Sequence, residues 1–429
     1  VDYSFNKAIN MKIMVLTDDF PPESRGGAGK IAASLALAYR QAGHEVEVVT
    51  TTRIKAHARM EQSDGITVYR IYSDYPERWR AYLSLFNPFV LNYLREIVYR
   101  MPPNIVHVHN IHYHLSYQSL RFFRQDIPIV ITFHDAMTVD YGKFVQGIPL
   151  HDLSDCPRVD YRVRAWKTLT AYRFRYLPLR NLLIRWYLHC CTWARVAVSE
   201  ELRRFLEVNG IRCTHVIHNG VDPQAWEVNP DRVKALQQRL GLKGHKVVLF
   251  GGRLGFWKGG EQLVKALPLI VREVPEAKLL VLGAIDGYAR SLQDLAGALG
   301  VGERVVFAGW LSGEDLAAAY RASDVVAVPS IYLDPFPTII LEGMAARKPV
   351  VASCFGGGKE AVVDGETGYV VNPLNIEALA RRIAELLRDT SKAQRMGEAG
   401  YRRLLDYFTI RRCAQEYLNL FARLLEKRR

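Results

Sequence analysis

The sequence predicts an α/β protein built from two doubly wound domains in series. Short Val/Ile/Leu-rich runs alternate with segments of helical period from one end of the chain to the other. The runs are continuously apolar instead of alternating, which marks parallel strands covered on both faces. The pattern is interrupted once, across residues 221–244, where Asp222-Pro223 and Asn229-Pro230 fall. A chain of 429 residues also exceeds what one hydrophobic core usually serves.

Taken in order, the strands of the first half are expected at 12–17, 46–50, 67–71, 105–109, 127–133 and 195–199. Those of the second half are expected at 246–250, 278–282, 304–308, 324–328, 349–352 and 368–371. Residues 30–41 read as a helix. So do residues 379–387, with Leu379, Ile383, Leu386 and Leu387 on one face, and residues 396–425. Sheets of this kind bind ligands beyond the carboxyl ends of their strands, so the loops after the strands are where chemistry is to be sought.

Composition narrows the class. Apolar residues make up 49% and charged residues 24%, values of a folded globular chain. No apolar run approaches the ~18 residues of a spanning helix. Residues 1–7 lack the apolar centre of a secretory signal, and Met11 opens the first strand, so residues 1–10 read as an upstream extension. Six cysteines without a C-x-x-C pair fit reduced thiols in a cytoplasmic protein better than a disulfide or zinc framework. The net charge of +13 is unevenly distributed: residues 158–204 hold eleven Arg/Lys against three acidic residues, a local +8 in 47 residues.

Two loops carry the strongest chemistry. After the strand at 246–250 comes Gly251-Gly252-Arg253-Leu254-Gly255-Phe256-Trp257-Lys258-Gly259-Gly260, two fixed cations among glycines, suited to a diphosphate. After the strand at 324–328, Asp334 and Glu342 stand eight positions apart around a helix start. A helix N-terminus favours an anion, and the flanking carboxylates can hold neutral hydroxyls. No Asp-x-Asp metal motif accompanies them, so no metal and no cofactor is expected.

The glycine loop at 26–29 is not a phosphate-binding loop of the Walker type, because Ile31 follows Lys30 where Ser or Thr is needed. It reads as a longer loop leading into a helix. His107 and His109 share one face of a strand, with His112 and His114 close behind, and an H-x-H pair can ligate metal. A metal-dependent hydrolase is therefore an alternative. The competing reading is of histidines buried or hydrogen-bonded in the sheet, with His109 and Asn110 at the strand's carboxyl end. His134-Asp135 closes the next strand, again at its carboxyl end.

These motifs together resemble the retaining glycosyltransferases of GT-B architecture, family 4. The matching residues are Gly252-Arg253-Leu254 with Lys258-Gly259, Asp334-x7-Glu342, Pro21-Pro22 with Gly26-Gly27, Gly43-His44-Glu45-Val46, Val106-His107-Val108-His109, Thr132-Phe133-His134-Asp135 and Asn219-Gly220-Val221-Asp222. The resemblance implies two Rossmann-like domains facing a central cleft. The acceptor-binding domain would span 1–220, completed by a C-terminal helix from 405–429 that crosses back, and the donor-binding domain 221–404.

It implies a hexose-type sugar moved from a nucleoside-diphosphate sugar to a glycan or lipid-linked acceptor, in polysaccharide or glycolipid synthesis. His134, Asp334, Arg253 and Lys258 would serve catalysis. Gly27, Arg253, Lys258, Asp334, Phe336, Thr338 and Glu342 would hold the donor, Glu342 through its ribose. His109, Asn110 and Asp135 would face the acceptor. Two departures bear on the sugar: Asp334 stands where glutamate is usual, and Pro337 where glycine is common. A nucleotide-sugar epimerase shares this architecture and is a further alternative. Acceptor recognition is expected in the loops at 73–102 and 136–158.

The basic segment interleaves Tyr161, Trp166, Tyr172, Phe174, Tyr176, Trp186, Tyr187 and Trp193 with its arginines. This mixture suits the anionic inner face of the cytoplasmic membrane. It equally suits aromatics packed into the first domain beneath solvated arginines. No nucleic-acid module accompanies it.

Overall fold

The computed structural model describes residues 10–24 and 26–427. Residues 1–9, where the upstream extension is expected, lie outside it, as do Arg25, residues 428–429 and the side chain of Phe174. The chain divides into two compact units. Unit 1 comprises Val1–Gly142, Tyr161–Asn219 and Ile410–Arg429, and unit 2 comprises Lys143–Asp160 and Gly220–Thr409.

Unit 1 holds β1 (Lys12–Leu16), β2 (Glu45–Thr52), β3 (Met60–Ser63), β4 (Ile66–Tyr72), β5 (Ile105–Val108), β6 (Ile129–Phe133), β7 (Ala194–Ala197) and β8 (His215–Val216). They form one sheet in the order β3-β4-β2-β1-β5-β6-β7-β8, parallel except for the β3–β4 pair. Every strand expected in this half is present. The two unexpected ones escape a search for apolar runs, since β3 is the mostly exposed Met-Glu-Gln-Ser and β8 has only two residues. Ile13, Val15, Val46, Val48 and Val68 are buried against the helix Gly27–Gln41 and the C-terminal helix Ile410–Glu426.

Unit 2 holds β9 (Lys246–Gly251), β10 (Ala277–Leu282), β11 (Val305–Gly309), β12 (Val325–Val328), β13 (Val350–Ser353) and β14 (Gly368–Val371). Their order, β11-β10-β9-β12-β13-β14, is all parallel. It reverses direction between β9 and β12, the switch point where doubly wound sheets open a crevice. The helix Ile376–Arg388 is started by the Asn375 side chain, which accepts from Ala378 N at 3.0 Å. It buries Leu379, Ile383, Leu386 and Leu387 in the core.

Two expectations are corrected. The single helix expected over 396–425 is two, Thr390–Tyr407 and Ile410–Glu426. Between them Thr409 bridges to Val221, and Val221 N donates to Phe408 O at 3.0 Å, drawing the backbone out of the helix. The second helix belongs to unit 1, where Tyr417, Leu418 and Phe421 are buried. Part of the loop at 136–158, expected in the first domain, lies in unit 2, since Lys143–Asp160 belongs there. Leu333 N donates to Phe144 O at 3.0 Å, and the Asn372 amide donates to Asp152 O and Ser154 O, both at 2.8 Å. Ile148 is buried with Cys354 and Phe355. Contacts this distant in sequence leave no local signal.

Candidate functional site

In unit 2 the loops after β9 and β12 meet at the switch point. The β9 loop turns at Gly252 (φ +107°), forms a short turn over Phe256–Lys258, and enters the helix Gly260–Glu273 through Gly259 (φ +79°). A Cβ on Gly259 would lie 1.8 Å from the Pro329 carbonyl oxygen, so only glycine permits this approach. Two residues on, Ile331 N donates to Trp257 O at 2.9 Å. Backbone contacts thus set the two loops against each other before any side chain takes part.

Their side chains then pair. Lys258 Nζ donates to Asp334 Oδ2 at 2.7 Å, and Ser330 Oγ donates to the same oxygen at 2.9 Å. The Lys258 ammonium stands 5.2 Å from the centre of the Tyr332 ring. Burial opposes its charge, but Asp334 and Tyr332 outweigh burial and hold it above the ordinary lysine range. Asp334 is itself fixed from behind: Gly357 N donates to its carbonyl at 2.9 Å, and its backbone bridges to Gly356. Arg253 is exposed and makes no hydrogen bond or ion pair among the described residues, so its guanidinium is available to a ligand.

The helix Thr338–Ala345 begins after Pro337, and no side chain caps it. Its first N–H groups therefore have no side-chain partner of their own. Thr338 is its first residue, and Phe336 is buried just before it, 5.6 Å from Phe408. Glu342 accepts a hydrogen bond from the buried Tyr320 hydroxyl, which packs edge-on to Trp226. Tyr320 and Ser330 hold the expected carboxylates and were not anticipated, since neither sits in a motif.

In unit 1, Asp18, His109-Asn110 and His134-Asp135 follow β1, β5 and β6. Asp18 is the unanticipated member. Its carboxylate accepts from Tyr113 N (2.7 Å), His114 N (2.8 Å) and Leu115 N (2.8 Å), anchoring the loop that carries His112 and His114. Burial pushes its carboxyl up to about 6, against the pull of His112 and those N–H groups. His109 Nδ1 and His134 Nε2 share a hydrogen bond of 2.8 Å, with their rings stacked at 5.1 Å. Burial brings His134 down to about 4 and His109 well below the usual imidazole range. His109 Nε2 is buried without a hydrogen-bond partner among the described residues.

Asn110 Nδ2 donates to Asp135 Oδ2 at 3.1 Å, and Met137 N donates to Oδ1 at 2.8 Å. Burial would raise the Asp135 carboxyl, but His112, 3.4 Å away, and these donors hold it down to about 2.

Two further histidines of the cluster are held by neighbouring side chains. His107 pairs its two ring nitrogens with Tyr39 (3.2 Å) and Thr132 (2.9 Å), and Thr132 continues to Tyr417 of the last helix (2.8 Å). Its pKa falls to about 3 on burial. His114 Nδ1 contacts Ser73 Oγ at 2.9 Å. His107 and His109 therefore do not offer a metal pair, and no group of three His, Cys, Asp or Glu among the described residues is placed to hold a metal. Gly27 begins its helix, exposed, beside a loop where Ser24 Oγ donates to Asp19 Oδ2 at 2.7 Å.

The basic segment divides between its two readings. Tyr161 bonds Glu201, Tyr172 and Tyr176 pack on Tyr141, and Arg180 is buried over that ring, donating to Met137 O at 2.7 Å. Trp166, Leu169, Leu179, Leu182, Leu183 and Trp186 are exposed. No helix among the described residues is long and apolar enough to cross a membrane.

Known proteins share this fold. The family model "Glycosyltransferase Family 4" matches residues 25–225, and "Glycosyl transferases group 1" matches residues 233–403. An uncharacterized glycosyltransferase of Methanocaldococcus jannaschii is 29% identical over 390 residues, 88% of this chain and 90% of that one. A GDP-mannose-dependent alpha-(1-6)-phosphatidylinositol monomannoside mannosyltransferase of Mycolicibacterium smegmatis is 36% identical over 193 residues, 44% of this chain and 50% of that one. Among solved structures, sucrose-phosphate synthase from Thermosynechococcus elongatus superposes with a TM-score of 0.75 at 22% identity, covering 97% of this chain and 99% of that one. Anabaena HepE in complex with UDP and glucose superposes with a TM-score of 0.70 at 21% identity, covering 96% and 99%.

Proposed function

The chain is a glycosyltransferase of GT-B fold related to family 4 and group 1, and from that premise we propose that it moves a hexose-type sugar, with retention, from a nucleoside-diphosphate sugar to a glycan or lipid-linked acceptor. The observation that carries this reading is the Lys258–Asp334 pair beside an exposed Arg253, at the switch point of the unit 2 sheet. Breaking the bond between the sugar and its diphosphate builds negative charge on the leaving group. Lys258, Arg253 and the N-terminus of the helix Thr338–Ala345 supply fixed positive potential for it. A metal ion is then not needed for that task.

Asp334 and Thr338 would meet hydroxyls of the sugar and oxygens of the phosphates, Phe336 would wall the pocket, and Glu342 would hold the ribose. In unit 1, His134, set by His109, is assigned to the transferred sugar, with His109, Asn110 and Asp135 toward the acceptor and Gly27 toward the donor phosphates. The acceptor hydroxyl would attack on the face the diphosphate leaves, giving its proton to a phosphate oxygen. Two similar proteins are named with different nucleotides, GDP and UDP, so the donor base is decided by assay.

Incubation with UDP-, GDP-, ADP- and dTDP-hexoses, followed by proton NMR of the early product, tests this. Release of one nucleoside diphosphate with a sugar of the donor's anomeric configuration is expected. Inversion, or epimerisation of the donor without nucleotide release, would contradict it.

The acceptor side is further proposed to work at an anionic membrane surface. The exposed Trp166, Leu169, Leu179, Leu182, Leu183 and Trp186 lie in the same stretch as the exposed Arg164, Arg173 and Arg175. Apolar side chains with interleaved cations gain both burial and attraction at such a surface. The protein should co-sediment with phosphatidylglycerol vesicles and not with phosphatidylcholine vesicles. Replacing Trp166 and Trp186 by serine should weaken that binding about tenfold or more, roughly the burial of two indole rings. Equal binding to both vesicle types, or none to either, would remove the membrane from the account.

A further inference from the structure

We infer that Lys143 is a third cation of the donor site, carried onto unit 2 by the Lys143–Asp160 segment to engage the diphosphate of the nucleotide. The inference rests on the donor-site reading above and adds a residue that belongs to no motif.

Lys143 Nζ stands 4.7 Å from the centre of the Tyr332 ring, whose other ammonium neighbour is Lys258 at 5.2 Å. A Cβ on Gly255, in the loop that carries Arg253, would lie 3.9 Å from the same nitrogen. The placement is built. Leu333 N donates to Phe144 O directly beside Lys143, and Asp160 N donates to Gly147 O at 3.1 Å, closing the segment on itself. The Asn372 amide and the buried Ile148 hold its far part.

The charges do not balance within the protein. Lys143 makes no hydrogen bond or ion pair among the described residues, although it is half-buried. The groups that bear on it are Lys258, Asp334 and Arg253, with Tyr332 beneath it. Three cations facing one carboxylate leave a surplus of two positive charges, the complement of a diphosphate diester. Partly buried charges are normally paired, and here Asp334 is already taken by Lys258. Burial and Lys258, opposed by Asp334, bring the Lys143 ammonium down to about 8. A bound diphosphate favours the charged form, so binding should draw a proton onto Lys143 and weaken as pH rises through that value.

The test is calorimetric titration of the full chain with UDP, GDP, ADP and dTDP at pH 7 and pH 9, in the wild type, Lys143→Met, Lys143→Arg and Lys258→Ala. For the nucleotide that the wild type binds, Lys143→Met should weaken binding at pH 7 about tenfold or more, the loss of one charge-assisted contact. Wild-type affinity should fall between pH 7 and 9, while Lys143→Arg, charged throughout, should hold its affinity. If Lys258→Ala loses the nucleotide but Lys143→Met binds it like the wild type, the role of Lys143 is overturned and the donor site stands. If the wild type binds none of the four, the donor-site reading fails and takes this one with it. Should Lys143→Met not fold, the arginine variant decides: a fall in its affinity matching the wild type's would overturn the inference.

Discussion

Lys258→Ala should lose nucleoside-diphosphate binding and lower turnover together, by about 10²–10³ in kcat, the usual effect of removing one preorganised partner of a developing anion. The lysine is charged across the working pH range, because Asp334 and Tyr332 outweigh the burial that opposes it. Its loss would also leave Asp334 with Ser330 as its side-chain donor, in a nearly closed environment. Stability should therefore fall as well, by less than for a fully buried pair, because the Lys258 side chain keeps 21% of its exposure. Asp334→Asn separates the two effects. It keeps the shape and the lysine, so it should retain nucleotide affinity while lowering sugar transfer. Steady-state kinetics with thermal unfolding checks both variants. A Lys258→Ala enzyme with unchanged kinetics would remove this residue from the site.

Gly259→Ala should be strongly damaging to unit 2. Its backbone sits at φ +79°, which costs an L-residue about 1 kcal/mol. The larger cost is steric, since the new Cβ would meet the Pro329 carbonyl at 1.8 Å, and backbone cannot rotate aside as a side chain can. Overpacking of this kind costs about 1–3 kcal/mol or more. Relief requires the loops after β9 and β12 to part, which would break the Ile331–Trp257 bond and draw Lys258 from Asp334. A melting temperature lower by several degrees, with loss of nucleotide binding, is expected. Gly297→Ala is the control, because an added Cβ there meets nothing within 4 Å. Equal behaviour of the two variants would show that the loops are not interlocked at Gly259.

The parallel sheets were legible because β1, β9 and β12 are runs of buried aliphatic residues, a signal held within each strand. Arg253, Lys258, Asp334 and Glu342 were legible for a related reason: each lies within a few residues of a strand end or helix start. The residues that would complete this candidate site were not. Ser330 and Tyr320 act through chain folding, and Asp18 reads as one more polar residue after a strand until the loop 113–115 closes on it. Lys143 is furthest from view. It lies 115 residues before Lys258, and the contacts that bring the two onto the Tyr332 ring come from Leu333 and Asn372. The histidine cluster misled in the opposite direction. H-x-H suggested a metal pair, whereas His107 spends both ring nitrogens on Tyr39 and Thr132, and His109 spends Nδ1 on His134.

The most direct measurement is calorimetric titration of the wild-type chain with UDP, GDP, ADP and dTDP in the presence of EDTA. Fixed cations at Lys258 and Arg253 predict that one nucleoside diphosphate binds and that its affinity is the same with and without the chelator. Failure of all four to bind, or binding that disappears with EDTA, would contradict a donor site built on the protein's own charges.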